Sequence, residues 1–321
     1  VTRYLLRRAV FLAVSLVLAS VVLFLLLRVL PGDPANALTA VGATEEQIEA
    51  ARAQIGSDLP LHQQFLDWIG SAWRGDLGES FVSGLSVSDE VVQRLRVTLP
   101  LTFAAFLVAI ALAIPAGYIA ATRSRTWYGG LLNAVAQLGI AVPVFWLGMI
   151  LVVVFALQLR VLPAGGFPIN GWADPATAAV ALVLPVVTVA IIMSASLTRY
   201  VRSAVLDVAG SDFVRTARAM GATFGEAMRR HGMRSAAVPV VAVLGMELAS
   251  TLLGAVVVEQ VFALPGLGSM LVTGIAEHDY PVIQGVLFVS TLAVLLIGFA
   301  ADIAQRLIDP RLRERLSEAS T

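Results

Sequence analysis

Three histidines, His62, His231 and His278, are the only imidazoles in the chain. They stand far apart and form no HExxH pair, which excludes a helix-borne zinc site of that kind. His278 beside Glu277 and Asp279 is too sparse a set to hold a metal. There is no cysteine, which removes disulfides, thiolate metal sites, iron–sulfur ligation and a cysteine nucleophile. All 22 basic residues are arginines. Without lysine the chain has no Walker A loop, whose lysine must reach the nucleotide phosphates, and no Schiff-base chemistry. One acid, Glu247, lies well inside a long apolar stretch. A carboxylate there costs several kcal/mol unless it is paired or wet, on the order of other intramembrane charges. Two readings follow: it faces a pathway or subunit interface, where a substrate ammonium could pair with it, or it accepts a structural hydrogen bond from a neighbouring helix.

The elements that must position such a residue are set by composition. Of the 321 residues, 58% are hydrophobic and 14% charged, with a mean hydropathy of +0.84. A soluble domain carries about 25% charged residues, so the chain reads as an all-α integral membrane protein. Apolar stretches of 19, 26, 34, 24, 24 and 22 residues lie between charges, from Ala9–Leu27 to the stretch between Asp279 and Asp302, the fifth interrupted only by Glu247. About 20 such residues cross the hydrocarbon, which predicts six transmembrane helices. The first is long enough to span and is read as a retained helix. Pro115, Pro143 and Pro185 fall inside predicted spans and favour kinks there.

Sixteen of the arginines fall in alternate segments that include both termini, and six in the segments between them. The positive-inside rule then puts both termini in the cytoplasm. The segments expected are 1–30, the N-terminal end and first helix; 31–96, a small helical extracytoplasmic segment; 97–308, a five-helix core; and 309–321, a cytoplasmic tail. In the extracytoplasmic segment, Pro31-Gly32-Asp33-Pro34 is a turn. Thr44-Glu45-Glu46-Gln47 is a capping box starting a short helix to about Gln54, stopped by Gly56. A second, amphipathic helix from Pro60 to Trp73 carries Leu61, Phe65, Trp68, Ile69 and Trp73 as its apolar stripe.

Inside the core, residues 203–235 form a polar cytoplasmic loop with clear punctuation. Ser211 or Asp212 caps a helix over Phe213–Met220, and Gly221 fits its C-terminal stop. Thr223-Phe224-Gly225-Glu226 is a second capping box, opening a helix toward His231. A topology anchor needs the arginines but not two capped helices with a defined corner.

That loop resembles the EAA loop of ABC-importer permeases, whose pattern is Glu-Ala-Ala, three residues, then Gly, with a proline opening the next span. Here Arg215-Thr216-Ala217 precedes Gly221 at that spacing, and Pro239 opens the fifth span. Arg and Thr in place of Glu and Ala, with Tyr200-Val201-Arg202 and Asp212-Phe213-Val214 upstream, resemble the dipeptide/oligopeptide subgroup. Tyr4-Leu5-Leu6-Arg7-Arg8, Pro31-Gly32-Asp33-Pro34, Arg74-Gly75-Asp76-Leu77-Gly78-Glu79-Ser80, Pro163-Ala164-Gly165-Gly166, Pro265-Gly266-Leu267-Gly268 and Asp309-Pro310-Arg311 look like its B-type subunit, in the same order over nearly the whole chain.

The resemblance implies a type I ABC importer transmembrane domain in a bacterial cell membrane, moving peptides or a related small solute. It implies a second homologous permease subunit, two ABC ATPase subunits that carry ATP and Mg, an extracytoplasmic substrate-binding protein and the lipid bilayer as partners. It implies no cofactor in this chain, no catalysis by it and no nucleic-acid partner. Arg215, Thr216, Ala217 and Gly221 take the ATPase-coupling role, with small Ala217 allowing close approach and Arg215 pairing with an ATPase carboxylate. Glu247 is the pathway candidate. Glu259, Pro265, Gly266 and Gly268 are the candidates for contact with the binding protein. Two other classes remain open: a membrane-embedded enzyme, for which no nucleophile–base pair stands at membrane depth, and an ion-coupled secondary transporter acting without an ATPase, for which several intramembrane charges would be expected.

Overall fold

Each long apolar stretch becomes helical, five of them as one helix and one as a bent pair, because backbone polar groups in lipid must be satisfied within their own segment. The computed structural model describes residues 2–29, 44–46, 49 and 59–308. The helices are α1 (Thr2–Val29), α2 (Leu61–Trp73), α3 (Val87–Thr122), α4 (Trp127–Ala141), α5 (Val144–Leu151, continued by a π-turn over Val152–Gln158), α6 (Pro175–Ala209), α7 (Asp212–Ala219), α8 (Phe224–Ala227, continued by a π-turn over Met228–Gly232), α9 (Met233–Val261), α10 (Leu267–Glu277) and α11 (Tyr280–Ile308). Five of them are long and apolar enough to cross a membrane, and α4 with α5 makes a sixth, bent span.

The bend is at Pro143. Val142, held in the extended region by the proline after it, has φ −83° and ψ 123°, and α4 and α5 diverge by 103°. The single span expected between Arg125 and Arg160 is therefore a broken one. Pro115 and Pro185 lie within helices that continue past them, as do Pro100 and Pro239. Pro239 stands inside α9, not at its start.

The helices also outrun the apolar stretches. α6 has 35 residues, about 52 Å at 1.5 Å per residue, against a hydrocarbon core of about 30 Å. Glu259 and Asp302, taken as flanking charges, are inside α9 and α11.

The chain forms two compact units. One takes the chain up to Leu99 together with Ala263–Leu296; the other takes Pro100–Phe262 together with the chain from Ile297. These borders cut across the segments expected at 31–96 and 97–308. In the first unit, α2 is not a free interfacial helix. Phe65 and Trp68 of its stripe meet Phe24 of α1 at ring distances of 5.5 and 6.2 Å, and Trp68 meets Phe288 of α11 at 5.7 Å, while Leu61 and Trp73 stay exposed. Of the helix expected after Thr44, Glu45, Glu46 and Glu49 are helical. The rest of that helix with Gly56, the turn at 31–34 and the motif at 309–311 lie outside the described residues.

In the second unit, α6 packs against α4, α5 and α9. Its buried face is rich in alanine, including Ala178, Ala181, Ala190 and Ala195, so neighbouring backbones approach closely where lipid offers no hydrophobic drive between helices. Asp174 caps α6. Its carboxylate accepts from the Thr177 hydroxyl at 2.6 Å and the Thr177 amide at 3.2 Å, and Pro175 fills the first turn. The Thr177 hydroxyl, then its amide, hold Asp174 below the usual aspartate pKa. A depressed carboxylate stabilises above its unfolded pKa and loses that contribution as pH falls through the folded one. Asp174→Ala is expected to raise amide exchange at 176–178 several-fold at pH 6 by mass spectrometry, and the wild type to lose this protection only below the normal aspartate range.

Candidate functional site

The sequence between α6 and α9 builds a corner from local signals. α6 ends at Ala209 and α7 starts at Asp212, with only Gly210 and Ser211 between them. Ser211 is in extended conformation, but its hydroxyl bonds back to the Val208 carbonyl at 2.6 Å and does not cap α7. α7 closes with a paired arrangement around Gly221: the Gly221 amide donates to Arg218 O at 3.0 Å, and the Ala222 amide to Ala217 O at 3.1 Å. This is a Schellman stop, whose turning residue must be left-handed. Gly221 has φ +96°, and glycine is the one residue without a penalty there. Thr223 then caps α8, its hydroxyl accepting from the Glu226 amide at 3.3 Å. The Glu226 carboxylate turns to Arg230 at 3.0 Å.

From Phe224 to Val261 the helical backbone is unbroken. So α7 joins two rods, α6 and α8–α9, each continuous with a spanning segment. Beneath it, Val214 and Ala217 are buried against Val201, Val205, Ala227 and Met228. Ala217 thus faces its own subunit. Its small size seats α7 on α6, which replaces the expectation that it lets a partner approach.

The outward face of α7 carries Arg215, Thr216 and Arg218. Arg215 is ion-paired with Asp212, one turn before it, so a partner's carboxylate would have to compete with Asp212 for it. The Thr216 hydroxyl is spent on Asp212 O at 2.9 Å. Arg218 stands over the Phe224 ring at 5.9 Å and ties α7 to α8 across the corner. Two exposed apolar residues complete the face, Phe213 and Met220, the latter 79% exposed. Neither was picked out from the sequence, although their spacing of seven puts them on one helical face.

Glu247 is half-buried in α9, and the Ser196 hydroxyl of α6 donates to its Oε1 at 2.7 Å. That is the structural hydrogen bond of the second reading. An amide oxygen would accept it equally, so Glu247→Gln is expected to leave uptake within twofold, measured as initial rates across several substrates.

The residues expected to meet a binding protein lie elsewhere than predicted. Glu259 has no exposed surface. Gly266 and Gly268 are buried and Pro265 is half-buried. Their segment turns inward because Gly266 caps α10 and the Leu267 amide donates to the buried Thr98 hydroxyl at 2.9 Å. The exposed positions of this unit nearby include Val272, Ile275, Glu277 and His278 on α10 and its end, and Val82 and Leu85 before α3. The motif Pro163–Gly166 also has a packing role: the Gly166 amide donates to Phe262 O at 2.7 Å, and a Cβ at Gly165 would lie 2.4 Å from that oxygen.

Among the described residues no group of three or more His, Cys, Asp and Glu could hold a metal. The site is a glycine-stopped corner between two helical rods, each continuous with an apolar helix long enough to cross a membrane. Comparison with known proteins places the chain further. Residues 113–314 match the family "Binding-protein-dependent transport system inner membrane component", and residues 1–102 match "Binding-prot-dependent transport system membrane comp, N-term". The chain is 37% identical over 310 residues to the glutathione transport system permease protein GsiC of Escherichia coli O6:H1, covering 97% of this chain and 98% of that one. It is 36% identical over the same length to GsiC of Shigella boydii serotype 4. Among solved structures it is similar to the MetNI methionine ABC transporter in an inward-facing form, with a TM-score of 0.57, 19% identity, and coverage of 68% of this chain and 96% of that one. An amino acid ABC transporter gives a TM-score of 0.51 at 18% identity, covering 68% and 94%.

The chain belongs to the binding-protein-dependent transport system inner membrane component family. It is a multi-pass permease subunit of an ABC importer with the type I fold, non-catalytic, in the inner membrane, and it works with a permease partner, ATPase and binding protein.

Proposed function

We propose that this chain forms half of the translocation pathway of an importer for glutathione or short peptides, with both termini cytoplasmic. It pairs with one homologous permease, two ATPase subunits that bind ATP and Mg, and one extracytoplasmic binding protein. The corner at Gly221 supports this reading most directly, since α7 is seated on two rods that run unbroken into spanning segments. A cleft on an ATPase that grips Phe213, Arg215, Arg218 and Met220 would move α6 and α9 together when ATP closes the motor. Thr216 and Ala217 serve the same corner from within, one bonded to its own helix and the other buried. The binding protein would rest on the exposed parts of α10 and the segment before α3, with Pro265, Gly266 and Gly268 holding α10 in place; Glu259 would act from inside α9. Alternating access follows from rocking of the rods and not from charge carried by this chain.

The test is reconstitution in proteoliposomes. Labelled glutathione and dipeptides should enter only when the second permease, the ATPases, the binding protein and ATP are all present. Uptake by this chain alone, driven by an ion gradient, would overturn the reading.

A further inference from the structure

The rod that runs from the corner into α9 has a soft point. Pro239 lies inside α9. It has no amide to give the Ser235 carbonyl one turn before it, and its ring crowds that carbonyl, which favours a kink. Yet the helix continues through it to Val261. A push at the corner travels along α9 only if that point is stiff.

Two contacts with the end of α11 stand on either side of Pro239, both within the second unit. Before it, Arg234 Nε donates to the carbonyl of Ile308, the last residue of α11, at 3.2 Å. The last carbonyls of a helix have no partner in their own helix and form the negative end of its dipole, so an arginine matches them. After it, a Cβ at Gly245 would overlap the Ala301 Cβ, so the two helices meet there at very close range. Small residues make such crossings where lipid supplies no drive between helices. The register of the two contacts agrees. Numbers rise along α9 as they fall along α11, so the helices run antiparallel. From 234 to 245 α9 covers about 16 Å, and from 308 back to 301 α11 covers about 10 Å. The long Arg234 side chain bridges the difference.

We propose that the last two turns of α11 splint α9 across Pro239, with Arg234 and Gly245 as positioning residues. A displacement of the corner then reaches the rest of α9 undiminished and carries the end of α11 with it. The proposal rests on the coupling reading of the corner and adds α11 to the elements that move.

The test uses the complete assembly in proteoliposomes, with labelled glutathione and a labelled dipeptide, and scores uptake and ATP hydrolysis together. Gly245→Ala favours helix and only drives α9 away from Ala301; it should lower uptake more than tenfold. Arg234→Ala, at an exposed position, should lower it at least threefold. Hydrolysis should persist in both, so that less solute moves per ATP. Pro239→Ala, also at an exposed position, restores the missing amide. It should bring both variants back to within twofold of wild type, because a stiff α9 needs no splint. Met246 and Leu307 are exposed, and the chain has no cysteine, so Met246→Cys with Leu307→Cys takes one spin label on each helix. Their separation should be the same with and without trapped nucleotide. Undiminished uptake by both variants overturns the proposal, as does a label separation that shifts with nucleotide. So does a loss that Pro239→Ala fails to repair, since the contacts then only hold the bundle together. Should Gly245→Ala not assemble, Arg234→Ala with and without Pro239→Ala decides alone. Absence of ATP-driven uptake by the unaltered assembly is a separate result, which removes the coupling reading and the splint with it.

Discussion

Gly221→Trp is expected to leave the chain folded, inserted and assembled with its partners while lowering ATP-driven uptake more than tenfold. Gly221→Asn should keep most of it. The backbone at 221 has φ +96°, and a Cβ there would meet nothing within 4 Å. The cost of a side chain is therefore conformational, about 1–2 kcal/mol for an L residue in left-handed backbone, too little to unfold the bundle. The corner pays for it locally: the two closing hydrogen bonds from Gly221 and Ala222 loosen, and a bulky indole stands on the face that Met220 already presents. Asparagine tolerates the left-handed region better than other non-glycine residues. The measurements are pull-down of the ATPase subunits and uptake in proteoliposomes. Normal uptake by the Trp variant would remove the coupling role from this corner.

Asp279→Ala is expected to be the most destabilising single change in the first unit, at about 3 kcal/mol, as befits loss of several hydrogen bonds to a buried carboxylate. Asp279 is 2% exposed. It takes the Ser80 hydroxyl at 2.5 Å and the Phe81 amide at 3.2 Å, and the Val282 amide at 3.4 Å, so it also caps α11. Its own amide closes α10 on Gly274 O at 2.9 Å, after His278 at φ 56°. One side chain thus joins the end of α10, the start of α11 and the loop that leads to α3. Ser80→Ala should cost about 1 kcal/mol, and the double variant should cost less than the two added, because both remove one shared bond. Unfolding in graded detergent denaturant measures all three. Full additivity would show that the two residues act apart.

The helical corner was legible because its signals are local. A cap at Thr223, a glycine stop at 221 and a stretch between them depend on neighbours in sequence, and they folded as their backbone chemistry dictates. The spans were legible for a similar reason, since lipid leaves an apolar stretch little choice but a helix. Span ends were less legible. α6 carries Arg199, Arg202 and Asp207 along its last turns, so charge marked where the hydrocarbon ends and not where the helix ends.

The family followed from motifs kept in order across the whole length, although what those motifs do did not. Glu259, Pro265, Gly266 and Gly268 were candidates for binding-protein contact by resemblance alone, and the structure buries most of them. Ala217 looked like a contact for a partner and is packing for its own helix. The pairing of Ser80 with Asp279, 199 residues away, and of Ser196 with Glu247 leaves no trace in local spacing. Sequence by itself thus determined helices, their stops and the kind of protein, because these depend on bonds made within a few residues and on the solvent around them. Which face each helix buries, and which partner each buried polar group finds, only the tertiary structure decided, because those contacts join residues that the chain brings together only once it has packed.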